Sequence, residues 1–192
     1  MAPLITLTTD FGTRDAYAAA MKGVILSACP DARVIDLSHD IAPQDVFEGA
    51  MFVAEAVPCF PANSIHCVVV DPGVGTARLP IIVSAGEHTF VCPDNGLLTL
   101  FTRQHAIREA RMIANPEFMR ASISATFHGR DIFAPAAAAL ARGVPMQDAG
   151  ERLTTLTMLE IPGVHTTADG IVAGVVMHVD RFGNAITNIH RS

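Results

Sequence analysis

Short apolar runs alternate with stretches of helical period through the first part of the chain. Leu4–Thr8 reads as a buried strand, and a helical pattern follows from about Asp15 to Ala28. Val34–Leu37 predicts a second strand and Gln44–Ala56 a second helix. Ile65–Val70 is rich in β-branched residues and almost wholly apolar, the pattern of a parallel strand covered on both faces. Ile81–Ala85 and Thr89–Cys92, separated by Gly86-Glu87, predict a hairpin. Asn95–Arg103 predicts a short helix and Asp131–Ala141 a longer one. Such alternation predicts a layered α/β domain with a mainly parallel sheet.

Near Val144–Ala149 the pattern changes. Thr154–Ile161, Ile171–Asp180 and Ala185–Ile189 read as strands, joined by turns at Pro162-Gly163 and Asp169-Gly170. The expected organisation is an α/β domain over 1–150, a linker with a first strand over 151–168, and the start of a β-rich domain over 169–192. That last segment holds too few strands to close a sheet, so a truncated second domain is expected. Neither an internal repeat nor a low-complexity tract is present.

Composition supports this picture and removes some functions. Of 192 residues half are hydrophobic and 17% charged, which supplies a sizeable core and argues against disorder. The formal net charge of −6 argues against a nucleic-acid surface. Cys29, Cys59, Cys67 and Cys92 form no C-x-x-C pair, and three border or occupy apolar segments. Buried free thiols and a reducing cytoplasm are expected. No signal segment is visible before Leu4, and no apolar stretch is long enough to span a bilayer, so no membrane partner is expected.

Polar residues gather where strands end. In open α/β sheets ligands bind outside the carboxyl ends of strands, so these positions are the candidate site. Thr9-Asp10-Phe11-Gly12-Thr13 follows the first strand, with Arg14-Asp15 beyond it. Ser38-His39-Asp40 follows the second, and Asp71-Pro72-Gly73-Val74-Gly75-Thr76 the third, with Arg78 close by. One such Asp is an ordinary cap or turn residue, whereas three at successive strand ends point to function. Asp10-Phe11-Gly12 matches the kinase D-F-G, but the supposed catalytic-loop counterpart His128-Gly129-Arg130-Asp131 comes after it instead of before, and no Gly-rich loop or strand lysine precedes it. Gly73-Val74-Gly75 is too short for a dinucleotide fingerprint.

Ser124–Pro135 concentrates Thr126, Phe127, His128, Arg130 and Asp131 before an apolar helix. Two readings stand here: Asp131 caps the helix beside a turn histidine, or the segment belongs to a site. No H-x-x-x-H or H-E-x-x-H spacing predicts a zinc site. A metal site assembled in space from His39, Asp71 and His128 stays open.

Six ordered motifs then carry a resemblance that spans nearly the whole chain: Thr9-Asp10-Phe11-Gly12, Ser38-His39-Asp40-Ile41, Val69-Val70-Asp71-Pro72-Gly73-Val74-Gly75-Thr76, Pro93-Asp94-Asn95-Gly96-Leu97-Leu98, Thr126-Phe127-His128-Gly129-Arg130-Asp131 and Asp180-Arg181-Phe182-Gly183-Asn184. Together they resemble the S-adenosylmethionine (SAM) hydroxide adenosyltransferases, relatives of the SAM-dependent halogenases. The resemblance implies an N-terminal α/β domain, a smaller barrel-like β domain and a homotrimer. SAM would lie between the first domain of one subunit and the second domain of its neighbour. It implies hydrolysis of SAM to adenosine and methionine, with Asp71, Arg78 and His128 as the water-activating triad. Asp10 falls on the ribose-binding position, Asp15 lines the SAM site, Asp180 meets the methionine amine and Asn184 the adenine side. Phe11, Thr126, Phe127 and Phe182 complete the expected substrate contacts.

The chemistry suits these residue types. The sulfonium leaves C5′ as a neutral thioether, so no metal and no cofactor are expected, and SAM is the substrate. The difficulty is to aim and deprotonate water, tasks for His128 with Arg78 and Asp71. A carboxylate such as Asp10 can accept from both vicinal ribose hydroxyls. Two rivals remain: transfer to a halide, which a facing carboxylate disfavours, and non-catalytic binding of SAM or adenosine.

Overall fold

The computed structural model describes residues 2–189 and divides into two compact units, Met1–Leu159 and Glu160–Ser192. The first is a mixed α/β unit around a six-stranded sheet: β1 (Leu4–Thr9), β2 (Arg33–Ser38), β3 (Ile65–Val69), β4 (Pro80–Ala85), β5 (His88–Pro93) and β6 (Ile107–Met112). Their spatial order is β2-β1-β3-β5-β4-β6. The first four in that order run parallel, and β4 is antiparallel to both β5 and β6. The β4–β5 pair is the hairpin read at Ile81–Cys92.

Helix α1 (Tyr17–Ala28) links β1 to β2, and α2 (Val46–Ala56) lies on the way from β2 to β3. The two helices cover opposite faces. Ile5, Leu7, Cys67 and Val69 face Met21 and Ile25 of α1, together with Phe133 and the buried alanines of α4 (Ala134–Ala141). On the other face Val68, Val70, Phe90 and Cys92 pack with Val53 of α2 and Phe101 of α3 (Thr99–Thr102). With both faces covered, every residue of β3 is buried, which explains its almost wholly apolar pattern.

A chain of paired polar groups crosses this core. Thr6 and His66 are register partners on β1 and β3, and Thr6 Oγ1 lies 2.7 Å from His66 Nδ1. His66 Nε2 lies 3.1 Å from His88 Nδ1. Burial depresses the pKa of His66 to about 3, with His88 adding to the effect. Cys29, Cys67 and Cys92 are buried free thiols and Cys59 is exposed.

Three sequence expectations need correction. Thr154–Ile161 is not a strand, because side chains satisfy its backbone instead of a ladder. The Thr157 N–H donates to Asp94 Oδ1 at 2.9 Å and the Leu159 N–H to Thr99 Oγ1 at 2.8 Å. Strand β6 escaped the reading because Arg108, Glu109 and Arg111 interrupt its apolar pattern, as charges do on strands near a sheet edge. Ile171–Asp180 is divided into two strands at Gly174.

The second unit consists of two small antiparallel pairs. β7 (His165–Thr166) pairs with β8 (Val172–Ala173), and β9 (Val176–Val179) with β10 (Ala185–Thr187). A Cβ on Gly174 would meet Asn188 Oδ1 at 2.4 Å, and that oxygen accepts from the Val175 N–H at 2.9 Å. The interruption is therefore built into the backbone. No helix among the described residues is long and apolar enough to cross a membrane.

Candidate active site

β1 has β2 on one side and β3 on the other, so the chain leaving β2 must cross β1 to reach β3. This reversal opens a crevice at the carboxyl ends of β1 and β3, the usual ligand position in such sheets. A cleft of about 360 Å³ occupies that place, lined by Asp10, Phe11, Asp71, Thr126, Phe127 and His128, among others.

The first strand end is held by a chain of hydrogen bonds. Buried His39 places Nδ1 2.8 Å from Thr9 Oγ1 and Nε2 3.0 Å from Asp36. Thr9 Oγ1 accepts from the Phe11 N–H at 3.2 Å, and His39 O accepts from the Gly12 N–H at 2.7 Å. Asp10 Oδ2 accepts from the Gln44 N–H at 2.8 Å. His39 is thus a clamp between β1 and β2. Its proposed grouping with Asp71 and His128 around a metal does not form, because Nδ1 is taken by Thr9 and Nε2 is turned toward Asp36. Among the described residues no cluster of His, Cys, Asp or Glu is arranged to hold a metal ion.

The second strand end carries the strongest electrostatics. Asn95 Nδ2 donates to Val70 O at 2.9 Å, fixing the backbone just before Asp71. Arg78 Nε donates to both Asp71 carboxylate oxygens at 2.9 Å, and its Nη2 donates to Oδ2 as well. The two side chains are only 9% and 5% exposed, so this is a desolvated pair in a nearly fixed geometry. Arg78 also lies over the Phe133 ring, 5.2 Å from its centroid.

Arg78 Nη2 is 2.7 Å from His128 Nδ1. A guanidinium has only donors, so Nδ1 accepts and the neutral ring carries its proton on Nε2. Burial and then the charge of Arg78 lower the His128 pKa from its ordinary value, against opposing pulls from Asp71 and Asp131. The ring is therefore held neutral, with Nε2–H as its one donor.

His128 precedes a π-helical turn, Gly129–Phe133, that leads into α4. Asp131 does not cap this turn. Its fully buried carboxylate accepts from the Ser124 N–H at 2.9 Å, from Arg130 Nε at 2.7 Å and from Arg120 at 3.3 Å. Those bonds, that with Arg130 first, hold its pKa below the ordinary value. Asp131 thereby ties the loop carrying Thr126, Phe127 and His128 to the helix start. Phe11, Tyr17 and Phe127 form one wall of the cleft, with ring centroids 5.0–6.0 Å apart.

Asp15 is exposed two residues before α1 and is not among the residues lining the cleft. Asp180, Phe182 and Asn184 lie in the β-rich unit, in the turn between β9 and β10. There Asp180 Oδ1 accepts from the Phe182 and Asn184 N–H groups at 2.8 Å, and Asn184 Nδ2 donates to Asp180 Oδ2 at 2.7 Å. The Asn184 bond is the main reason that the Asp180 pKa is lowered. Phe182 projects from this turn, 89% exposed.

Tyr17, Pro43 and Gln44 also line the cleft, and the sequence did not single them out. Tyr17 is the one tyrosine of the chain and opens α1, which was a usable signal. Gln44 carries no chemical signal, since it contributes a backbone N–H from a left-handed conformation.

Together these features define an α/β domain with a cleft at the switch point of a mainly parallel sheet. The SAM hydroxide adenosyltransferase N-terminal domain matches residues 5–150, and the chain belongs to this family. It is 48% identical over 185 residues to an (R)-S-adenosyl-L-methionine hydrolase of Salinispora tropica, covering 95% of this chain and 70% of that protein. A fluorinase of Actinoplanes sp. is 30% identical, covering 99% of this chain and 72% of its own length. An uncharacterised conserved protein of Thermotoga maritima superposes with a TM-score of 0.89 at 38% identity, over 96% of this chain and 71% of that one.

Proposed function

We infer that the chain hydrolyses S-adenosylmethionine to adenosine and L-methionine. The observation that carries this reading is the part-buried Asp71–Arg78–His128 constellation, whose Asp71 and His128 line the same cleft as Asp10. Greater identity to the hydrolase than to the fluorinase, 48% against 30%, supports water over halide as the nucleophile.

In the proposed reaction water attacks C5′ in line with the C5′–S bond. The O–C5′ bond forms, sulfur takes the electron pair of the breaking bond, methionine departs as a neutral thioether, and the surplus proton of the attacking water passes to solvent. Arg78 stabilises hydroxide character on the attacking oxygen, and Asp71 holds Arg78 in place. With Nδ1 engaged by Arg78, His128 offers Nε2–H to orient that oxygen. Asp10 binds the ribose hydroxyls, while Phe11, Thr126 and Phe127 form the wall around the substrate. Fixing the water and C5′ relative to one another supplies much of the acceleration, up to about 7–11 kcal/mol in ideal cases.

Product analysis of purified protein with SAM and chloride tests the assignment. Adenosine and methionine are expected. A 5′-haloadenosine would replace hydrolysis with halide transfer, and unchanged SAM would reduce the chain to a binding module.

We extend the proposal to metal-free, cofactor-free chemistry, since a neutral leaving group gives a Lewis acid no task. Activity is expected to survive EDTA. Loss on chelation, restored by zinc or magnesium, would refute this. We further propose a homotrimer, and the turn Asp180–Asn184, with Asp15, as a source of methionine and adenine contacts. Sedimentation should give three times the chain mass, and a monomer at micromolar concentration would count against it. The buried free thiols support a reducing, cytoplasmic setting.

A further inference from the structure

Gln44 has φ of 66°, a left-handed backbone that L-residues other than Asn and Asp seldom adopt. The other described non-glycine residue in this region is Asn63, a residue type suited to it. Strained backbone persists only where its surroundings over-determine it, and it concentrates at functional sites. Here the surroundings are explicit. Asp45 caps α2 by accepting from the Glu48 N–H at 2.9 Å, and Glu48 Oε2 reaches back to the Ala42 N–H at 2.9 Å. The Asp45 N–H donates to Ala42 O at 3.0 Å and the Val46 N–H to Gln44 O at 3.1 Å. This closes a tight loop over residues 42–46 around Gln44.

The strained peptide donates its N–H to Asp10 Oδ2 at 2.8 Å, tying the loop after β2 to the end of β1. A backbone donor neither titrates nor changes rotamer. It fixes the plane of the carboxylate and leaves Oδ1, with one lone-pair site of Oδ2, for other donors. Both Asp10 and Gln44 line the cleft.

We propose that Gln44 is a positioning residue, whose left-handed backbone orients the Asp10 carboxylate to receive the two ribose hydroxyls of the substrate. This rests on the SAM reading of the cleft. The function lies in the main chain, so what matters at position 44 is the ease of a positive φ. The Gln amide contributes nothing to it.

The test compares Gln44→Gly, Gln44→Ala and Gln44→Val in the full chain, all of which lose the amide. Glycine adopts φ near 66° freely, alanine with strain and valine worst. The Kd for adenosine by calorimetry is expected to rise in that order, by about tenfold from first to last, as for a weakened charge-assisted hydrogen bond. KM for SAM should follow while kcat stays alike, because ribose anchoring is common to the ground and transition states. With Asp10→Ala added, the three are expected to converge within about twofold. Equal affinities in the three, or a spread that persists without Asp10, would overturn the proposal. Where Gln44→Val fails to fold, the comparison of Gln44→Gly with Gln44→Ala carries the test. A native protein without adenosine affinity would overturn the SAM reading and this inference with it. Native affinity with three equal variants would overturn this inference alone.

Discussion

Asp71, Arg78 and His128 act as a unit in which each side chain is fixed by another. Arg78 is committed to the carboxylate on one side and to the imidazole on the other. In the proposed mechanism, removing His128 takes a donor from the attacking water and leaves the ion pair standing. His128→Ala is expected to lower kcat by about 10²–10³ with adenosine affinity nearly intact. Asp71→Ala is a harsher change, because it strands a guanidinium whose side chain is only 9% exposed. It should lower kcat comparably and also destabilise the fold by about 3–5 kcal/mol. Steady-state rates with calorimetric adenosine binding and urea melts separate these effects. Near-normal turnover in both variants would remove the triad from the mechanism.

At the scale of elements, the site depends on how closely two loops approach. The loop after β3 carries Asp71 and Arg78, and the loop before the π-helical turn carries His128. They touch at Gly75, whose φ is 76° and whose missing Cβ would lie 2.5 Å from Ala125 O. Backbone cannot yield there as a side chain end could. Gly75→Ala is therefore expected to push the loops apart and stretch the Arg78–His128 contact, with kcat down at least about tenfold. The cost in stability should be modest, on the order of 1–2 kcal/mol, since the position is an exposed loop. A crystal structure of the variant with its turnover number provides the check; an unchanged rate would mean that the loops are not coupled in this way.

At the scale of the whole α/β unit, the buried Thr6–His66–His88 chain links β1, β3 and β5. His66 has a pKa of about 3 in the folded chain against 6.5 when unfolded. Folding therefore favours its neutral form. Its contribution to stability is fully present above about pH 6.5 and is lost progressively as pH falls toward 3. A shift of this size corresponds to a total of roughly 5 kcal/mol. Thermal melts at pH 7.5 and 5 should show a marked fall in Tm, and His66→Gln should flatten it. An equal fall in that variant would place the acid sensitivity elsewhere.

The pattern of apolar residues determined the α/β class, the β1–α1–β2–α2–β3 order and the β4–β5 hairpin, because β1, β3, β4 and β5 are largely buried and their apolar runs are forced. It also determined the strand-end positions of Asp10 and Asp71, since the ends of apolar runs mark where a sheet stops. It misread β6, where charges tolerated near an edge hide a strand. It misread Thr154–Ile161, where Asp94 and Thr99 accept backbone hydrogen bonds from a segment distant in sequence. Only the tertiary structure decided that Arg78 joins Asp71 to His128, fifty residues away. It also turned His39 from a candidate ligand into a clamp on Thr9, and placed the Gln44 backbone N–H on Asp10. Sequence order records which groups are available and the local period records where they sit along an element. Which of them meet is set by the order of strands in the sheet and by loop conformations such as those of Gly75 and Gln44, and these arise from packing between residues far apart in the chain.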